Sequence, residues 1–161
     1  MAIVVETGSG LNQAANSYVD ASDLAEYADN RGITISGTED ALLIKAMDYL
    51  ESLNYIGTKF RDDQPLQWPR ADVFIDGFGQ QTNIIPVELK NGQMATALAI
   101  DSDNGPLGLV PRGVKREKAD VVEVEYMDNA PSEPIVKTIN AALRKLLAPG
   151  NGGLSFRVVR A

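Results

Sequence analysis

The chain has no cysteine and no histidine among its 161 residues. The first absence excludes a disulfide framework and thiol chemistry. The second removes the usual general base, the commonest metal ligand and every Ser-His-Asp or Cys-His arrangement. Catalysis would have to rest on carboxylates, lysine or tyrosine, and no constellation of these stands out. The sequence therefore reads as non-enzymatic, with no cofactor and no metal. Aromatic residues are scarce at 6%, and Trp68 is the single tryptophan. No hydrophobic run approaches a membrane-spanning helix, and Met1 to Glu6 lacks the basic lead-in of a signal peptide. Cations are also in deficit, 15 against 22 acids, giving a pI near 4.6. Residues 1–63 carry 4 Lys/Arg and 11 Asp/Glu, whereas residues 64–161 carry 11 of each. A free-standing nucleic-acid binder normally shows a basic surface, which this composition does not provide. An acidic face suits a basic partner, a channel that DNA crosses without sticking, or plain solubility.

What is present is the composition of one ordinary globular domain, 44% apolar and 23% charged. Its organising stretch runs from Asp40 to Arg70. Leu42, Leu43, Ala46, Met47, Leu50 and Leu53 form an apolar stripe at helical spacing, with Lys45, Asp48, Glu51 and Ser52 on the other side. Thr38 is the expected N-cap, and Glu39 and Asp40 suit the first turn. Before it, Asp20 with Asp23 opens a helix that stops at Gly32, so the two helices predict an αα-hairpin. After it, Trp68 is expected to pin its segment against the helix, in a backbone set by Pro69.

Val73 to Ile75 predicts a short strand closed by an Asp76-Gly77 turn. Pro86 opens a third helix running to about Ile100, in which Gly92 implies close approach of a neighbour. Val114–Lys118 and Val121–Tyr126 read as a β-hairpin. Lys115, Arg116 and Lys118 there form the densest basic cluster, fit either to contact phosphates or an acidic neighbour, or simply to face solvent beside Glu117 and Glu123. A last helix is expected from Pro134 to Leu147, with Val136, Ile139, Leu143, Leu146 and Leu147 on its apolar side. A glycine hinge then leads to a β-prone tail, with Leu154, Phe156, Val158 and Val159, that either adds to a neighbour's sheet or folds back. Three loops resemble ligand sites and fall short. Gly8-Ser9-Gly10 lacks the Lys-Ser/Thr of a phosphate loop, Asp62-Asp63 is a pair of turn acids, and Asp101 to Gly105 lacks the later ligands of a calcium loop. The predicted fold is mainly α (α+β), a bundle of about four helices with a small β-hairpin. It divides into an N-terminal arm (1–16), a helical domain (17–148, hairpin about 113–127) and a tail (149–161).

Asn16-Ser17-Tyr18-Val19, Asn30-Arg31-Gly32, Lys45 to Leu50, Leu66 to Arg70, Ile85-Pro86 and Val114 to Lys118 occur in an order similar to that of a tailed-phage family. That family resembles head–tail connector (adaptor, head-completion) proteins and is often labelled DnaT-like single-stranded-DNA-binding. The resemblance runs from about Val5 to Leu147 and makes Tyr18, Tyr49, Trp68, Pro69, Arg70 and Pro86 family-motif residues. It implies a structural protein at the neck of the virion, made in the host cytoplasm. Copies would form a dodecameric ring beneath the portal protein, joined to downstream neck and tail proteins, with packaged double-stranded DNA in the channel and no membrane partner. The family's other label implies an alternative, a single-stranded-DNA-binding or replication accessory protein. That role needs a basic groove with aromatic stacking platforms.

Overall fold

A computed structural model of the chain describes residues 2–102, 114–118, 123–126, 139 and 142–149. Its helices are α1 (Ala21–Asp29), α2 (Glu39–Glu51) and α3 (Val87–Asp101). Three two-stranded antiparallel ribbons accompany them. β1 (Thr58–Lys59) pairs with β2 (Arg70–Ala71), β3 (Phe74–Ile75) with β4 (Phe78–Gly79), and β5 (Val114–Lys118) with β6 (Glu123–Tyr126).

The helices form where local chemistry favours them. Asp20 caps α1 by accepting the Asp23 N–H at 2.9 Å, and Asp23 accepts the Asp20 N–H at 3.1 Å, a reciprocal capping box. Gly32, with φ of 64°, provides the left-handed exit from the helix. Thr38 precedes α2, but its side chain makes no capping bond. Asp101 instead closes the entry to α2, accepting the Ser36 and Gly37 N–H groups at 2.8 and 2.7 Å. Pro86 sits at the N-cap of α3, one position before the first helical turn.

Two apolar clusters share α2 and α3. One joins Val19, Leu24, Leu42, Leu43, Ala46, Met94, Ala97 and Leu98, and so holds α1 on the helix pair. The other gathers Tyr18, Leu50, Tyr55, Trp68, Val73, Ile75, Leu89, Ile139, Leu143 and Leu146. Gln93, fully buried, ties the layers together. It accepts the Tyr18 N–H at 3.0 Å and donates to Ser17 Oγ at 2.7 Å and the Leu43 carbonyl at 3.3 Å.

This architecture corrects the expected bundle of about four helices. The fold is α+β, with three helices among the described residues. The second apolar cluster is covered largely by the irregular segment 52–86, through Trp68, Val73 and Ile75, so the burial a fourth bundle helix would supply comes from loops and short strands. Of the expected last helix, Ile139, Ala142 and Leu143 are helical, Arg144 to Leu146 form a turn, and the part from Pro134 to Lys137 lies outside the described residues. The N-terminal segment is hydrogen-bonded to the residues that follow it. The Glu6 N–H donates to the Ser17 carbonyl at 2.8 Å and the Asn16 N–H to the Val4 carbonyl at 2.9 Å. The C-terminal tail with Leu154, Phe156, Val158 and Val159 lies outside the described residues.

Candidate nucleic-acid interface

The motif residues around Trp68 are interior. Trp68 and Tyr18 are fully buried, and the Trp68 ring meets Tyr55 edge to face at 5.8 Å between centroids. The Tyr18 hydroxyl donates to Glu51 Oε1 at 2.7 Å and accepts the Trp68 N–H at 3.2 Å. The other Glu51 oxygen accepts the Gln67 N–H at 2.8 Å. Burial raises the Glu51 carboxyl above its ordinary range, against the lowering effect of those two donors. Burial likewise pushes the Tyr18 hydroxyl well up, with the Glu51 charge adding to it.

Arg70 acts as a staple. It donates to the carbonyls of Ile56 and Gly57 at 2.8 Å each, to Tyr55 at 3.4 Å, and to Gln67 through both its carbonyl and its side chain. Pro69 and Pro86 are buried, and the Trp68–Pro69 bond is cis. Tyr49 is half-buried against the same cluster. Buried as it is, this group positions other elements and offers no contact surface, although the Trp68 indole N–H finds no hydrogen-bond acceptor among the described residues.

It positions a hairpin. β2 ends at Ala71 and β3 begins at Phe74, so the Trp68–Arg70 anchor feeds directly into the β3–β4 ribbon. Asp76 and Gly77, with φ of 53° and 86°, make the two-residue turn. Val73 and Ile75 face the core, at 1% and 7% exposure, and the period-two alternation turns Phe74 outward, 65% exposed. Phe78, opposite Ile75, is 74% exposed. Phe74 pairs with Gly79, which has no side chain to cover the phenylalanine ring. The register places the two rings on opposite faces of a thin ribbon, so each leaves an aromatic surface to solvent. The hairpin thus shows two exposed aromatic rings within five residues.

One cation among the described residues reaches the tip. The Ile56 N–H donates to the Leu146 carbonyl at 2.9 Å and the Ala148 N–H to the Asn54 carbonyl at 3.0 Å, fastening the turn that carries exposed Arg144 and Lys145. Lys145 reaches the hairpin and pairs with Asp76, which raises the lysine's pKa. Glu88 and Arg144 also act on Lys145 electrostatically. Lys59 and Phe60, at the end of β1, are exposed as well.

Other candidates fare differently. In β5–β6 the register sets Arg116 opposite Glu125 and Lys118 opposite Glu123, and it shifts between Val114 and Arg116. The Gly8–Gly10 loop wraps a buried internal carboxylate, with Glu6 Oε1 accepting the Gly8 and Gly10 N–H groups at 2.7 and 3.1 Å. Those donors are therefore already committed. A cleft of about 250 Å³ between α1 and α3 is lined by Val19, Tyr27, Arg31, Val87 and Met94, but the Arg31 guanidinium sits 3.4 Å over the Tyr27 ring and occupies its face. Among the described residues no group of three or more His, Cys, Asp or Glu could hold a metal ion, and no helix is long and apolar enough to cross a membrane.

Phe74, Phe78 and Lys145 were not picked out by sequence reasoning. The available signal was an aromatic on the solvent side of a strand closed by Asp-Gly.

Exposed aromatic rings beside a cation are features that serve as a platform for unpaired bases. A family model described as "Putative DnaT-like ssDNA binding protein" matches residues 1–161, and the chain belongs to that family. No curated protein and no solved structure matches it. The match is to this family and not to a head–tail connector family, which corrects the connector resemblance. The structural reason is that Tyr18, Trp68, Pro69, Arg70 and Pro86 are interior. Interior residues of this kind hold the scaffold and carry no information about what docks on it. A structural virion role loses the support it drew from that resemblance.

Proposed function

We propose that this protein binds single-stranded DNA, with the β3–β4 hairpin as the element the bases meet. The observation that carries the proposal is the pair of outward rings, Phe74 and Phe78, on a hairpin anchored by the buried Trp68–Arg70 segment. The family's description supports the same class of ligand. Stacking contributes about 1–3 kcal/mol per base and tolerates any sequence. The acidic composition argues for few phosphate contacts, so stacking carries most of the affinity. If Arg144 meets one phosphate while Asp76 holds Lys145, the logarithm of the binding constant falls with log salt at a slope of about −0.7.

The test is fluorescence anisotropy of a labelled oligo(dT) with the wild type and with a Phe74→Ala/Phe78→Ala variant. Both rings are mostly exposed, so the variant is expected to keep its circular-dichroism spectrum and melting temperature. Its affinity is expected to drop by about tenfold or more. A wild type that does not bind, or a variant that binds equally well, refutes the proposal.

A further inference from the structure

We propose that Asp76 is a built-in competitor for phosphate: at the tip of the aromatic hairpin it occupies Lys145, the cation that a bound single strand would use. This rests on the reading of the hairpin as the DNA contact and adds a residue that sets its affinity.

Three observations carry the inference. First, the Asp76 carboxylate is not needed for the turn. At φ of 53° before Gly77 at 86°, the position asks for Asn, Asp or Gly, and asparagine meets that demand without a charge. Second, the pair with Lys145 is open to a ligand. Its side chains are 62% and 43% exposed, and pairs this exposed add little to stability. Third, of the charged groups that act on Lys145 among the described residues, Asp76 is the one bonded to it, while Glu88 and Arg144 act with opposite effects. Neutralising Asp76 leaves Lys145 without its partner carboxylate at the tip of the hairpin.

The chemistry is an exchange of oxyanions. An ammonium group takes a carboxylate or a phosphodiester as a point charge, so a strand stacked on the rings can replace Asp76 at Lys145. Because Lys145 is already paired within the protein, its contact with phosphate releases no counterion from the protein side and displaces a carboxylate that must then be solvated. Affinity is lowered accordingly.

The experiment is oligo(dT) anisotropy across a salt series for the wild type, Asp76→Asn, Lys145→Ala and the double variant. Asp76→Asn is expected to bind roughly two- to fivefold more tightly at low salt, the range expected for one exposed charge. Its salt slope is expected to steepen by about 0.7, the value for one added single-strand phosphate contact. Lys145→Ala is expected to change binding by less than about twofold with Asp76 present and to abolish the gain when Asp76 is asparagine. If Asp76→Asn leaves affinity and slope unchanged while the Phe74/Phe78 variant still loses binding, the competitor role is refuted and the hairpin reading stands. If neither the wild type nor Asp76→Asn binds at low salt, both fall.

Discussion

Replacing Gly92 by alanine sets two effects of opposite sign against each other. Gly92 lies inside α3, and alanine at an interior helical position gains about 1 kcal/mol in helix propensity. The added Cβ, however, would lie 2.4 Å from Leu143 Cδ2 and 2.9 Å from Cγ, inside any real contact distance. Leu143 cannot easily withdraw, because it is fully buried in the cluster with Trp68, Leu89 and Leu146. Overpacking of this kind costs about 1–3 kcal/mol, so the net expectation is a loss of about 1 kcal/mol. A double-mutant cycle separates the terms. Leu143→Ala alone costs about 2–5 kcal/mol from the cavity. In that background the clash is gone and Gly92→Ala becomes stabilising, giving a coupling of about 2 kcal/mol. Urea denaturation of the four proteins measures it. A Gly92→Ala variant that is more stable than wild type, with effects that add to within about 0.5 kcal/mol, would refute the packing of Leu143 on α3.

Arg70→Lys keeps the charge and removes the fork that reaches the carbonyls of Ile56, Gly57, Tyr55 and Gln67. A loss of about 2–4 kcal/mol is expected in urea denaturation, and a change below about 0.5 kcal/mol would contradict the staple. Glu51→Gln tests the buried carboxyl through pH. The folded-state pKa is raised above the ordinary value of 4.5, so the folded protein holds the proton more tightly than the unfolded chain does. The contribution of Glu51 is therefore complete below that ordinary value and declines as pH rises towards the raised one. Denaturation curves at acid and neutral pH should show wild-type stability falling relative to Glu51→Gln on going to neutral pH; the opposite trend would contradict the assignment.

The parts of the fold legible in sequence were those with a local chemical cause. The Asp20–Asp23 capping box, the apolar stripe of α2, the Asp76-Gly77 turn and the close approach at Gly92 each follow from residue type and spacing. The rest depends on tertiary context. β1, β2 and β4 are two residues long, too short for alternation to show. Glu51 reads as a solvent-side helix residue, yet its carboxylate is half-buried and joins Tyr18 to Gln67. Lys145 reads as the outer face of a last helix, but it lies in a turn beside Asp76, a neighbour that sequence separation conceals. The recurring Trp68-Pro69-Arg70 motif shows how to build the interior and is silent about the surface, which is why the connector reading drawn from it did not hold. The basic residues Lys115, Arg116 and Lys118 were the legible candidates, whereas the exposure of Phe74 follows from the alternation of Val73 and Ile75 and that of Phe78, opposite Ile75, does not.

The most direct test of the central claim is ultraviolet crosslinking of oligo(dT) to the wild-type protein, with the crosslinked residue located by mass spectrometry. The account predicts a nucleotide attached to Phe74 or Phe78. A crosslink confined to the 114–126 hairpin, or none at saturating protein, would contradict it.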